Sequence, residues 1–408
     1  MDIRAEIRDV PEAHVDRALE LEYLLFHHRP EDERRKQHRE LLLRCERIGA
    51  YDGDSLVGLV AVRPFTLSVP GGELPCPGVA FAGVAPTHRR RGLLSALIAE
   101  LFRRCADRGV PLAALWSSED AIYGRFGFGP ATQGLSLEID SRRPLALRIA
   151  PDERPLRLLD TTDVPEALTP YYDAGRTARA GRISRGEQRW RDEWLVDQDE
   201  EDDELGPPRV VTLGDPVAGY VVYRTRGGDD NLGVAGVVRV DELEADTPEA
   251  AAALWRYVAS IDLTGTVRAW GRPVDDPLLL FAADRDQVRV TGWYPGLWVR
   301  LVDVRAALTA RTWTTAADLV LEVLDRHVPA NDGRFRLTTS PHGGTCAATD
   351  AAPDLTFEAR DLAACYLGGT EVRRLVAAGV VAEHTEGAAD RLDAALRPRL
   401  LPATGDEF

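Results

Sequence analysis

A chain of 408 residues, 44% hydrophobic and 28% charged, has the composition of a folded protein and is too long for one ordinary domain, so two or three are expected. Its net charge of −16 argues against nucleic acid as the main partner and suits small cationic molecules, which an acidic surface concentrates. No apolar stretch reaches the roughly 20 residues that span a bilayer, and Met1 to Val10 lacks the continuous apolar segment of a signal peptide, so a cytoplasmic protein with no membrane partner is expected. Cys45, Cys76, Cys105, Cys346 and Cys365 show no metal-ligand spacing and fit free thiols in a reducing compartment. The histidines are equally unclustered, and no metal is expected. In chain order, Ile3, Ala5 and Ile7 alternate with charged residues as in a first strand, and helix-like segments follow around Glu12 to Arg29 and Glu31 to Arg44. Asp52-Gly53 is a tight-turn signal between Ile48–Tyr51 and Leu56–Phe65, consistent with a hairpin leading to an apolar strand over Val79–Val84.

That strand runs through Ala85-Pro86-Thr87 into Arg89-Arg90-Arg91-Gly92, where a helix begins that is predicted to reach Arg108. A helix start presents free backbone N–H groups and positive dipole to a phosphate, and Gly92 keeps no side chain in the way. A solvated turn is the other reading of three exposed arginines. The turn lacks both the Gly-Lys-Ser/Thr pattern and the Gly-x-Gly-x-x-Gly spacing, so neither a P-loop nor a dinucleotide fingerprint is present. Pro111–Trp116 then reads as a strand, Glu119–Phe126 as a short helix and Gly134–Ile139 as a final strand.

The order Arg-Arg-Arg-Gly-Leu between a strand and a helix resembles the acetyl-CoA-binding turn of the GNAT N-acetyltransferases, with Leu94 where a second small residue is usual. The element order resembles that fold too. Acetyl transfer to an amine needs a neutral amine, a polarised thioester carbonyl and a proton for the departing thiolate. A tyrosine suits the last role, because its reference pKa of about 10 keeps it protonated yet lies only about 1.5 units above an ordinary thiol. Tyr123, followed by Gly124-Arg125-Phe126-Gly127-Phe128, resembles the Tyr-x-x-x-Gly-Phe segment of GNAT enzymes. A packed aromatic with a satisfied hydroxyl is the alternative reading.

Prolines and arginines cluster over Ser141–Pro155, which puts a boundary near residue 150. The acidic run Asp199–Glu204 before Gly206-Pro207-Pro208 reads as a solvated loop. Strands over Val210–Leu213, Ala218–Arg224 and Gly233–Val240, then a helix over Pro248–Ile261, echo the first unit. Where that unit has three arginines, this one has Asp241, Glu242, Glu244 and Asp246, which repel a diphosphate. Residues 151 to 300 therefore read as a GNAT-like copy without a CoA site. From Trp313 the pattern changes to a helix over Thr315–Arg326, strands around Gly333–Thr338, Gly344–Ala348 and Asp354–Glu358, and a helix ending at Gly368-Gly369. Arg360 to Gly369 resembles the tail of sterol-carrier-protein-like domains.

Taken whole, the chain resembles the enhanced-intracellular-survival (Eis) acetyltransferases. The resemblance implies an α/β (α+β) architecture: a catalytic GNAT domain (1–150), a degenerate GNAT-like domain (151–300) and a sterol-carrier-protein-like α+β domain (301–408). It implies acetyl-CoA as cosubstrate, bound by residues matching Ala82, Gly83 and Val84, by the turn and helix start Arg89, Arg90, Arg91, Gly92, Leu93, Leu94 and Ser95, and by Ser118 and Glu119. It implies Tyr123 as general acid and the terminal carboxylate of Phe408 as general base, in an open pocket for polyamine-like substrates including aminoglycosides, and a homohexamer. Asp406 and Glu407 are candidate holders of ammonium groups, with Phe81, Trp190 and Trp194 as apolar or cation-π walls. The Trp-Cys pair associated with many family tails is missing from Pro402–Glu407. Acetylation of protein lysines, and a non-catalytic acyl-CoA- or lipid-binding protein, are the competing functions.

Overall fold

The computed structural model describes residues 5–197, 204–228 and 235–408; Ile3, most of the acidic run and the start of the strand expected from Gly233 lie outside these. The chain folds as two compact units. One holds the chain up to Thr132 with Leu297–Arg399 and Glu407–Phe408, the other Gln133–Gly296 with Leu400–Asp406.

In the first unit a seven-stranded sheet runs, in spatial order, Glu6–Asp9, Glu46–Asp52, Ser55–Arg63, Gly78–Val84, Leu112–Trp116, Leu297–Leu301 and Gly129–Pro130. Helix Leu93–Asp107 closes one face, because its apolar stripe of Leu93, Leu97, Ile98, Leu101, Phe102 and Cys105 recurs at helical spacing and packs on Ile48, Val60, Val79, Ala113 and Leu115. Helix Val15–Phe26 covers the other face through Val15, Ala18 and Leu19 on Tyr51, Leu59 and Ala61. The same unit contains a five-stranded sheet ordered Gly343–Ala348, Gly333–Ser340, Ala317–Leu324, Leu355–Glu358 and Ala382–Glu383.

The segment Ala317–Leu324 corrects the helix expected over Thr315–Arg326. It is the central strand of that sheet, antiparallel to Gly333–Ser340 and parallel to Leu355–Glu358. Leu319, Leu321 and Val323 alternate into the core, a period of two that an eight-residue apolar run also permits.

A second correction concerns Gly134–Ile139, expected as the last strand of the first sheet. The strand Gln133–Asp140 belongs to the second unit's sheet, between Thr264–Pro273 and Val288–Pro295. Its expected place is taken by Leu297–Leu301, which pairs antiparallel with Leu112–Trp116 and Gly129–Pro130 and is buried at every position. The two sheets have exchanged a strand. In the second unit the order is Leu156–Leu159, Arg209–Leu213, Gly219–Arg226, Gly236–Ala245, Thr264–Pro273, Gln133–Asp140 and Val288–Pro295. Helix Pro248–Val258 covers one face of it with Ala250, Leu254, Trp255 and Val258. No helix among the described residues is long and apolar enough to cross a membrane.

The exchange has a thermodynamic consequence. A chain cut after residue 150 loses Leu297–Leu301 and keeps Gln133–Asp140 without either of its neighbours, so it should show no cooperative thermal transition by circular dichroism. A sharp melt of that fragment would contradict this.

Candidate active site

The strand Gly78–Val84 is distorted at Phe81, whose backbone takes φ 46°, a region costly for a residue with a side chain. Opposite it, the ladder to Ser55–Arg63 skips a step between Leu59 and Ala61. On its other side the strand pairs in parallel with Leu112–Trp116 only at Gly78↔Ala114 and Val79↔Leu115. Beyond Val79 the two strands part, and the edge from Ala80 to Val84 faces an open wedge. Backbone N–H and C=O groups on such an edge are ready to pair with an extended, amide-bearing ligand. Phe81, Ala82 and Gly83 are half-buried there, and a side chain on Gly83 would collide with Leu25.

The chain leaves this strand through the short helical turn Pro86–His88, braced by His88 on Asp52 at 3.2 Å. Arg89 is extended, Arg90 takes φ 62° and Gly92 φ 78°, which brings successive amides round to the start of helix Leu93–Asp107. The first intrahelical bond is Ala96 N–H to Gly92 C=O at 3.0 Å, and no side chain caps the amides of Leu93, Leu94 and Ser95. Arg89, Arg90, Arg91, Gly92 and Ser95 are exposed, and among the described residues no carboxylate pairs with the three guanidiniums. A Cβ on Gly92 would meet nothing within 4 Å, so the space above the turn is open. A fifteen-residue helix with a free start, left-handed turn residues and three unneutralised cations fits a diphosphate.

The second unit shows the contrast. Its counterpart strands, Gly236–Ala245 and Thr264–Pro273, pair over five positions from Gly236↔Thr264 to Val240↔Ala269. The start of helix Pro248–Val258 is already used, because the Thr247 hydroxyl accepts from Ala250 N–H at 3.1 Å. The acidic residues there are held internally: Asp241 by Arg224 and Arg239, Glu242 by Arg185, Glu244 by Arg182.

Back in the first unit, helix Asp120–Tyr123 follows the exposed Ser118 and Glu119 at the end of strand Leu112–Trp116. The Tyr123 ring is 7% exposed and meets Phe128 edge-on, with centroids 6.4 Å apart. Burial, and secondarily the charge of Glu119, push its phenol above the ordinary tyrosine value. It is therefore protonated at neutral pH and equipped to donate. No hydrogen bond occupies its hydroxyl among the described residues, unlike a purely structural buried tyrosine. Sequence reasoning missed Ser117, whose hydroxyl is buried with no hydrogen-bond partner among the described residues.

The terminal residue packs on the first sheet. The Phe408 ring stands edge-on to Phe65 at 4.8 Å and lies over Gly78, where a Cβ would come within 2.5 Å of its Cε2. Gly78 is where the parallel ladder begins and so marks the closed end of the wedge.

Three of the proposed substrate contacts are corrected. Asp406 is 2% exposed in the second unit, where its carboxylate accepts from Arg185 at 2.9 Å and from the Tyr172 hydroxyl at 3.0 Å, so it is not available to an ammonium group. Burial pushes its carboxyl up, but Arg185 and then Arg189 outweigh that and hold it below the usual range. Trp190 is fully buried, and both it and Trp194 stack on the Arg185 guanidinium, at 4.4 and 4.0 Å. Their cation is internal. Glu407 is exposed. Upstream, Leu401 N–H bonds Asp275 at 2.9 Å and Ala403 N–H bonds Ala180 at 3.0 Å, so the tail is fixed along this unit.

Residues 6–131 match a model described as acetyltransferase (GNAT) domain, residues 181–305 match another of the same description, and residues 304–403 match the sterol carrier protein domain. An uncharacterized N-acetyltransferase of Streptomyces avermitilis is 38% identical over 379 residues, 90% of this chain and 91% of that one. N-acetyltransferase Eis of Mycobacterium tuberculosis is 36% identical over 377 residues, covering 89% and 88%. The crystal structure of Eis1 from Mycobacterium abscessus superposes with a TM-score of 0.87 at 35% identity, covering 99% of this chain and 100% of that one.

Replacing Arg185 with Met leaves the buried Glu242 without its cation and Asp406 with only the longer contact to Arg189 at 3.7 Å, which should cost about 3–5 kcal/mol in urea unfolding at neutral pH. In the native protein Asp406 has a depressed pKa, so its contribution is present above about pH 4, its unfolded value, and is lost as pH falls through the lower folded value. In Arg185→Met these carboxylates take up protons on acidification, so the stability gap to the parent should narrow. A gap independent of pH would contradict the ion-pair account.

Proposed function

Since the chain belongs to the Eis family of GNAT N-acetyltransferases, we propose that it transfers acetyl from acetyl-CoA to amines of cationic small molecules, aminoglycoside- or polyamine-like, with Tyr123 as general acid and the Phe408 carboxylate as general base. The observation that carries this reading is the buried Tyr123 phenol, protonated and free of hydrogen bonds among the described residues, at the end of the strand that walls the wedge.

Acetyl-CoA supplies the thioester and leaves as a thiol. Within this reading the amides of Leu93, Leu94 and Ser95 with Arg89, Arg90, Arg91 and Gly92 hold the diphosphate, Ala82, Gly83 and Val84 offer the open strand edge, and Ser118 and Glu119 line the opposite side. The amine nitrogen attacks the thioester carbonyl, the C–S bond breaks, Tyr123 gives its phenol proton to sulfur, and the Phe408 carboxylate takes the proton shed by nitrogen. A raised tyrosine pKa weakens the acid, but a thiolate in the same surroundings is also a stronger base.

The net charge of −16 favours a cationic acceptor, with Glu407 and Phe81 as remaining candidate contacts. The division at residues 150 and 300 enters the proposal with two amendments, that Gln133–Asp140 counts with the second unit's sheet and Leu297–Leu301 with the catalytic sheet. A homohexamer is carried by the family resemblance. Against lipid carriage, the last region buries a cation: Arg311 lies 4.6 Å from the Trp313 ring and donates to the carbonyls of Tyr366 and Leu396.

Tyr123→Phe should lower kcat by roughly 10²- to 10⁴-fold with a nearly unchanged KM for acetyl-CoA, measured by CoA release with an aminoglycoside or a linear polyamine. Full activity would remove the phenol from the mechanism. Adding three glycines after Phe408 relocates the terminal carboxylate. It should lower kcat and leave acetyl-CoA affinity intact, whereas an unchanged rate would exclude that carboxylate as base.

A further inference from the structure

The loop that follows Tyr123 is gripped, residue after residue, by the sterol-carrier-like region and the strand leading into it. At Gly124 a Cβ would lie 2.7 Å from Nη1 of Arg360. The carbonyl of Arg125 accepts from His327 Nε2 at 2.9 Å, and the His327 ring sits 5.1 Å from that of Phe126. Gly127, at φ 83°, backs on Arg300, whose Nη1 is 2.7 Å from the position of an added Cβ. Phe128, next in the chain, is the residue against which Tyr123 packs.

One carboxylate organises this grip. Asp325 pairs with the fully buried Arg300 and accepts from the backbone N–H groups of His327 and Val328, both at 3.0 Å, and from Asn331 Nδ2 at 3.2 Å. Among the described residues Nε and Nη1 of Arg300 have no hydrogen-bond partner, so a guanidinium is kept here at a desolvation cost that an apolar side chain of similar volume would avoid. Stability alone does not call for such a pair. Fixing the direction of a loop does, because two ends of one ion pair dictate where Gly127 and His327 stand.

We propose that Arg300, Asp325 and His327 are positioning residues for acetyl transfer, through which the sterol-carrier-like region holds the loop Gly124–Phe128 and thereby aims the Tyr123 hydroxyl. The proposal rests on Tyr123 being the proton donor. It gives the carboxy-terminal region a part in the chemistry without any ligand of its own.

The test uses the full chain with 3-fluorotyrosine placed at position 123, and the half-buried His327 as the site changed, so that the fold survives. His327→Ala should shift or broaden the fluorine resonance and lower kcat by roughly 10- to 100-fold, with KM for acetyl-CoA held, as expected for a misplaced catalytic group. His327→Gln, which keeps an N–H donor for the Arg125 carbonyl, should restore most of both. In a Tyr123→Phe background His327→Ala should cause no further loss, since the two act through one group. An unchanged fluorine resonance, or an equal kcat loss in the Tyr123→Phe background, overturns the clamp. If Tyr123→Phe alone is fully active, the proton-donor assignment falls, and the fluorine resonance still decides whether His327 holds the loop.

Discussion

The site depends on one failure of pairing. The parallel ladder between Gly78–Val84 and Leu112–Trp116 closes at two positions and then opens, because the backbone at Phe81 turns into a region that ordinary strand residues avoid. Strand edges inside a domain are normally satisfied. An open edge at the centre of a seven-stranded sheet is sustained only because both neighbours are anchored elsewhere: Gly78–Val84 by the ladder to Ser55–Arg63, and Leu112–Trp116 by five pairs to Leu297–Leu301. The arginine turn lies at one end of the wedge, and the Phe408 ring lies over Gly78 at the other.

The second unit lacks that opening. In the second unit the corresponding ladder runs over five pairs, the helix start is capped by Thr247, and the carboxylates that would face a phosphate are absorbed by Arg182, Arg185, Arg224 and Arg239. Arg185 is the hub. Between Asp406 and Glu242, and faced by Tyr172, Trp190 and Trp194, it turns a region that resembles a substrate site in composition into an anchor for the tail. Cation-π contacts of this kind are worth most when desolvated, as they are here.

What could be read from the sequence was local. The arginine turn and the Tyr-x-x-x-Gly-Phe segment announce themselves within a dozen residues, and their chemistry follows from a helix start and a phenol. What needed the fold was pairing at a distance. Nothing in Gly134–Ile139 says which sheet it will join, since its alternation suits either, and Leu297–Leu301 carries no mark of its partner about 185 residues upstream. Ala317–Leu324 shows the ambiguity of short apolar runs, resolved only by neighbours on both sides. Asp406 looked like a surface charge beside a terminus because Arg185, 221 positions away, is invisible to any window of sequence.

The central claim, that the open edge and the uncapped helix start form the acyl-CoA site and that the second unit has none, is tested most directly by amide hydrogen exchange with and without acetyl-CoA. Protection should rise over Ala80–Val84 and Leu93–Ser95 and stay unchanged over Val240–Ala245 and Ala250–Ala252. Protection gained at the second set, or none at the first, would contradict it.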